Sequence, residues 1–227
     1  MSKSIFITAT GTGVGKTFVS GLICKKLCDG GHKVGYYKPV ASDSTVCAGE
    51  LVPDDVNYVK HFVPLPYPIQ DMYSYAYKHS VSPHLASQLE ANPVEIGKII
   101  DDFNTHSKAH DYLVVEGCGG IVCPIRYDTR KQLFLVDIIQ QLNLGVLIVA
   151  SAALGTLNAT VLTVEVLRQK NIHIRGIIIN QFREDNVMDR DNVKMMRLLT
   201  QVPIIAQVEA NARDLSIKSE DLLPLFE

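Results

Sequence analysis

Ile5-Phe6-Ile7-Thr8-Ala9-Thr10-Gly11-Thr12-Gly13-Val14-Gly15-Lys16-Thr17 is the stretch on which the fold turns. Three apolar residues run into small and hydroxyl-bearing ones, then into Gly15-Lys16-Thr17, and residues 18–28 have helical spacing. Strand, glycine-rich turn and helix, in that order, is the setting of a phosphate-binding loop. The reason is electrostatic. Successive backbone N–H groups in the turn and the positive end of the next helix make a concave anion site. Lys16 adds a mobile charge for the β- and γ-phosphates, and the Thr17 hydroxyl suits Mg²⁺. The full G-x-x-x-x-G-K-[ST] formula asks for Gly where Thr10 stands, so the match rests on Gly15-Lys16-Thr17 with Gly11 and Gly13 beside it.

Working outward, residues 16–29 read as a helix stopped by Gly30-Gly31. Residues 33–37 read as a strand ending at Lys38-Pro39, because proline cannot donate to a ladder. Residues 39–53 read as a loop, and Asp54-Asp55 opens a short helix with carboxylates in its first turn. Residues 63–80 hold Pro64, Pro66 and Pro68 with Tyr67, Tyr73, Tyr75 and Tyr77. They read as a long irregular segment of the kind that forms or covers a site. Ser82-Pro83 reads as a helix start capped by Ser82, and a second helix is expected from Asn92-Pro93 through Ile99, Ile100 and Phe103. Apolar strands are expected at 112–116, 146–150, 174–180 and 202–206, with helices at 135–143, 156–169 and 189–200. That alternation predicts an α/β fold of the P-loop NTPase kind, a mainly parallel central sheet flanked by helices. Ligands then gather at the carboxyl ends of the strands. The length predicts a single domain over 1–227.

Charged residues make up 20% of the chain, apolar ones 47%, and the net charge is −2. Nothing there favours a nucleic-acid partner, and no charge block marks a tail. The opening residues lack a signal-peptide pattern and no apolar run is long enough to span a bilayer, so a cytoplasmic location without a membrane partner is expected. Cys24, Cys28, Cys47, Cys118 and Cys123 form no metal-ligand pattern, and their odd number argues for free thiols.

Thr17, Lys38, Asp54, Asp55 and Glu116 fall just after expected strands or in the loops there, which gathers them at one edge of the sheet. Magnesium bound to a nucleotide needs hard oxygen ligands, typically a hydroxyl and one or two carboxylates. Glu116 ends a buried strand. Asp54 and Asp55 are equal rivals on spacing, and either also serves simply to stabilise a helix N-terminus. A lysine ending a buried strand, as Lys38 does, is costly unless it meets an anion.

The chain resembles the dethiobiotin synthetases. The residues that carry the resemblance are Thr10 to Thr17, Gly35-Tyr36-Tyr37-Lys38-Pro39-Val40-Ala41-Ser42 and Ser82-Pro83-His84. Val115-Glu116-Gly117-Cys118-Gly119-Gly120, Leu154-Gly155-Thr156-Leu157-Asn158 and Ile179-Asn180 complete it. The resemblance implies ATP- and Mg²⁺-dependent carboxylation of 7,8-diaminononanoate by CO₂ through a carbamate and a carbamic–phosphoric anhydride. Ring closure then yields dethiobiotin, ADP and phosphate. It implies Lys38, Lys16 and Thr12 as the catalytic groups, with Thr12, Lys38 and Ser42 on the substrate. It selects Asp55 over Asp54 and implies Thr17, Asp55 and Glu116 as Mg²⁺ holders. It assigns the nucleotide to Gly13, Val14, Gly15, Lys16, Thr17 and Phe18, to Asp55 and Glu116, to Gly117, Cys118 and Gly119, and to Asn180 and Glu209. Leu154 and Asn158 match a segment that receives the substrate carboxylate from a neighbouring subunit, which implies a homodimer. Three departures stand out. Gly11 and Gly13 replace acidic residues of better-known members, Glu209 stands where a proline is expected, and Ala159 where histidine is frequent. Two other readings share the phosphate loop. A partitioning-type ATPase usually carries an extra lysine where Gly11 stands, and a cobyrinic acid amide ligase normally adds a glutaminase domain for which this chain is too short.

Overall fold

The computed structural model describes residues 2–47 and 49–226. Met1 and Glu227 of the expected domain, and Ala48 of the expected 39–53 loop, lie outside the described residues. In chain order the elements are β1 (Lys3–Ala9), α1 (Lys16–Asp29), β2 (Val34–Ser42), β3 (Ser44–Cys47), β4 (Glu50–Pro53), α2 (Asp54–Phe62), β5 (Tyr73–Tyr77), α3 (Pro83–Leu89), α4 (Ile96–Ala109) and β6 (Tyr112–Glu116). There follow β7 (Pro124–Tyr127), β8 (Gln132–Phe134), α5 (Leu135–Leu142), β9 (Val146–Ser151), α6 (Thr156–Gln169), β10 (Ile174–Asn180), α7 (Val187–Thr200), β11 (Ile204–Val208) and α8 (Ser219–Leu222).

Among the described residues, seven parallel strands form one sheet in the order β11-β10-β9-β1-β6-β2-β5. The α/β reading is borne out. The strands are apolar on both faces because both faces are covered. Ile5, Ile7 and Ala9 of β1 point to one core with α1, α2 and the C-terminal segment, while Phe6 points to the other with α4, α5 and α6. Strand β6 divides the same way, Val114 to the first core and Leu113 and Val115 to the second. The two small antiparallel pairs, β3–β4 and β7–β8, lie outside the sheet. Among the described residues no helix is long and apolar enough to cross a membrane.

Several local expectations are corrected. Strand β2 does not stop at Lys38 but runs through Pro39 to Ser42. Its pairing with β6 ends at Tyr37, and beyond that it faces only β5, with Lys38 and Val40 in register and Pro39 between them. A proline is tolerated where no ladder bond is asked of its nitrogen. The expected 39–53 loop therefore holds the end of β2 and the β3–β4 hairpin. Residues 63–80 are not irregular throughout, and Ser80 at their end lines the cleft described below. They contain a 3₁₀ turn at Ile69–Met72 and the edge strand β5, whose alternate Tyr75 and Tyr77 are buried. Ser82 takes the N-cap position of α3 without a capping bond, its hydroxyl lying 3.1 Å from His84 Nδ1 instead. Helix α4 starts at Ile96, later than Asn92-Pro93, because Glu95 is still extended and its N–H donates to Tyr75 Oη. Strand β11 begins at Ile204, two residues late, and the β7–β8 pair was unforeseen.

Candidate active site

The loop between β1 and α1 is shaped by glycine. Gly13 and Gly15 have φ of 77° and 91°, a region costly for any residue with a side chain. At Gly15 space forbids one as well, since an added Cβ would lie 2.0 Å from Asn180 Nδ2. Asn180 ends β10, and its Nδ2 donates to Val14 O at 2.9 Å, tying the loop to the sheet. Helix α1 begins at Lys16 with no side-chain cap on its first N–H groups, and Gly15, Lys16 and Thr17 at that end line the cleft described below. Lys16 Nζ donates to Gly119 O at 2.8 Å and Gly11 O at 3.3 Å. Burial and the neighbouring Lys38 charge lower its pKa from the ordinary lysine value.

Beside the loop four polar side chains from four elements meet. Thr17 Oγ1 lies 2.7 Å from Asp55 Oδ1 and 2.9 Å from Glu116 Oε1, its one proton shared between them. Lys38 Nζ donates to Glu116 Oε1 at 2.7 Å and to Asp55 Oδ2. Burial pulls the Lys38 pKa down, but Glu116 and Asp55 outweigh it and the ammonium is held above its ordinary value. Burial likewise pushes Asp55 up, and Lys38 and Thr17 bring it below the usual carboxylate range. The neighbouring Asp54 also lines the cleft but accepts from Thr45 Oγ1 at 2.9 Å rather than from Lys38 or Thr17. The two aspartates that spacing left equal are therefore distinct in the fold.

Lys16, Thr17, Lys38, Asp54 and Asp55 line a cleft of 620 Å³ that also takes in Thr12, Ser42, Cys118 and Ser82. It lies at the carboxyl ends of β1, β2 and β6, where a parallel sheet offers its ligand site. A family model described as an AAA domain matches residues 3–215. The ATP-dependent dethiobiotin synthetase of Brachyspira hyodysenteriae is 49% identical over 92% of this chain and 92% of its own length. Those of Clostridium botulinum, strain Alaska E43, and Clostridium perfringens, strain 13, are 37% identical over 100% of this chain and 99% of theirs, and 41% identical over 92% and 91%. The chain belongs to the ATP-dependent dethiobiotin synthetase family. It is thus an ATP-dependent ligase. Solved structures add the fold alone. A ParA family ATPase from Chlorobium tepidum superimposes with TM-score 0.57 at 12% identity over 93% of this chain and 86% of its own. The MinC:MinD complex from Aquifex aeolicus gives 0.55 at 16% over 92% and 81%.

Within this dethiobiotin synthetase family member the expected site residues divide into two sets. Thr12, Gly13, Gly15, Lys16, Thr17, Lys38, Ser42, Asp55, Cys118 and Gly119 share the cleft. Glu116 closes its floor through Lys38 and Thr17. Val14 and Phe18 are half-buried beside the α1 core, and Gly117 packs against Phe6 and Leu135. Glu209 is exposed past β11 and does not line the cleft, nor do the exposed Leu154 and Asn158 at the start of α6. The donor set fits a hard divalent cation: one hydroxyl and two carboxylates, with no thiol or imidazole among them. Asn180 is 2% exposed and does not line the cleft; its Oδ1 is buried with no hydrogen-bond partner, while Nδ2 is taken by Val14. Two residues were missed by sequence reasoning. Tyr36 donates to Glu116 Oε2 at 3.1 Å, and burial, with Glu116 and Asp55, pushes its pKa well up. Cys123 meets Cys118 in the cleft wall, and that contact with Lys38 and Lys16 lowers the Cys118 thiol. Strand alternation, which sets Tyr36 on the same side of β2 as Lys38, is the signal that could have found the tyrosine.

Proposed function

We propose that this chain is a single-domain, cytoplasmic enzyme that turns 7,8-diaminononanoate, CO₂ and ATP into dethiobiotin, ADP and phosphate. The observation that carries the reading is that Lys16 and Lys38, from two different elements, line one cleft with Thr17 and Asp55, while Glu116 lies buried behind Thr17 and Lys38. One substrate amine adds to CO₂ and forms a carbamate. The carbamate oxygen attacks the γ-phosphorus of ATP, ADP leaves, and a carbamic–phosphoric anhydride remains. The second amine then attacks the carbonyl carbon, closes the ring and expels phosphate.

Two anions must approach for the middle step, so the chain's task is to offset their repulsion and hold them in line. The α1 N-terminus and Lys16 bind the β- and γ-phosphates. Thr17, Asp55 and Glu116 would hold Mg²⁺, which supplies charge neutralisation on the phosphoryl group. Lys38 stabilises the carbamate, Thr12 and Ser42 orient it, and Asn180 Oδ1 accepts from the adenine amino group. No side-chain nucleophile is required, because phosphoryl transfer depends on positioning. Leu154 and Asn158, turned away from their own cleft, serve the substrate carboxylate of a second subunit in a homodimer. Phosphate release from ATP, followed with and without diaminononanoate and bicarbonate, tests the reading. Release that depends on both is expected, and release indifferent to either overturns it.

A further inference from the structure

The two oxygens of Glu116 are treated unequally. Oε1 faces Lys38 Nζ at 2.7 Å and Thr17 Oγ1 at 2.9 Å, on the cleft side. Oε2 is held by the Tyr36 hydroxyl at 3.1 Å. Tyr36 and Glu116 are both closed to solvent. The tyrosine has little freedom of its own. Its N–H donates to Tyr67 Oη at 2.6 Å, and the Tyr67 hydroxyl donates back to Tyr36 O at 3.3 Å. Its ring sits in the core beneath α1, in register with Val114 of β6, so its reach to Glu116 is set by the sheet.

We propose that Tyr36 is a positioning and specificity residue for the divalent cation: by holding Glu116 Oε2 it leaves Oε1, now held by Lys38 and Thr17, as the one oxygen turned to the metal and so favours Mg²⁺ over Ca²⁺. This rests on the reading of Thr17, Asp55 and Glu116 as the cation's holders. Calcium takes six to eight oxygens and readily accepts a carboxylate through both of its oxygens. Magnesium is smaller, demands octahedral geometry and takes carboxylates through one. A buried carboxylate with both oxygens open is a two-oxygen ligand, whereas one with Oε2 tied to a phenol is not. Removing the hydroxyl also leaves Oε2 buried without a donor, which frees the group to turn toward the cleft.

The test is Tyr36→Phe in the full chain. Mg²⁺ and Ca²⁺ compete against Mn²⁺, read by its paramagnetic resonance, with a non-hydrolysable ATP analogue present. Loss of a group that orients a ligand typically costs about 10-fold in metal affinity. Mg²⁺ binding should weaken by about that factor, Ca²⁺ binding should weaken less, and the preference should narrow. Tyr67→Phe keeps the Tyr36 hydroxyl and should keep the wild-type preference. A cooperatively melting Tyr36→Phe protein with the wild-type Mg²⁺ to Ca²⁺ ratio overturns the proposal, as does an equal loss for both ions. Tyr36→Met, which also lacks the hydroxyl, gives the same reading if the Phe variant does not fold. Wild-type protein whose analogue binding ignores divalent cations would overturn the cation reading itself.

Discussion

The Lys38 ammonium lies 2.7 Å from Glu116 Oε1, and both side chains are closed to solvent. A buried pair of this kind is costly to break from one side, because the remaining charge has no partner. Lys38→Ala should therefore lower turnover by about 10²–10³-fold and also destabilise the metal-free protein by roughly 3 kcal/mol. Mg²⁺ should restore much of that stability, since a dication can stand beside the same carboxylates. Thermal melts in chelator and in Mg²⁺ check this; equal melting temperatures for variant and parent in chelator would contradict it.

Gly15 and Asn180 are locked together, with a Cβ on Gly15 lying 2.0 Å from Asn180 Nδ2 at a φ of 91°. Gly15→Ala should cost about 1–3 kcal/mol from the backbone alone and distort the loop enough to abolish binding of a non-hydrolysable ATP analogue. Adding Asn180→Ala relieves the clash but not the backbone, so the double variant should be more stable than the two single losses summed. Urea unfolding of all four proteins measures that coupling, and simple additivity would refute it.

His106 and His110 stack on one another between α4 and Tyr67, with ring centres 6.0 Å apart. Burial, then His110, lowers the His106 pKa; burial lowers His110 as well. A histidine whose pKa is depressed in the fold takes up its proton more readily when unfolded. Stability from this pair is therefore full above the ordinary value of about 6.5 and falls as pH drops below it. Denaturant midpoints between pH 7 and 5 should decline, and His106→Gln should flatten that decline. An identical slope in the variant would rule the pair out as its source.

Leu154 is 88% exposed, and Leu162, Val187, Leu198 and Leu199 on α6 and α7 are exposed too. Apolar side chains gathered on neighbouring helices suit burial against a second copy. Leu154→Asp should shift sedimentation from dimer toward monomer. It should raise the KM for diaminononanoate about 10-fold or more while leaving that for ATP unchanged, because about 1.4 kcal/mol of lost contact is tenfold in affinity. A fully active monomeric parent would refute the shared site.

The strands buried on both faces were legible because their apolar runs leave no other use: 112–116 and 174–180 coincide with β6 and β10. Helix α6 likewise spans the predicted residues. What was hidden follows from context. Pro39 reads as the end of a strand, yet β2 continues because only the edge strand β5 lies beyond it. The tyrosines of 73–77 alternate as a strand should, but the prolines before them masked the pattern.

By itself the sequence determined the phosphate loop and the parallel sheet, because both depend on local demands: glycine where φ is positive, apolar residues where a strand is covered twice. Spacing left Asp54 and Asp55 equal, and the tertiary structure gives them different partners, one drawn to Thr45 of the hairpin and the other to Lys38 and Thr17. It alone brought the Tyr36 hydroxyl to Glu116. Neighbours eighty residues apart in the chain meet through strand register, and register is set by how the whole sheet buries its side chains.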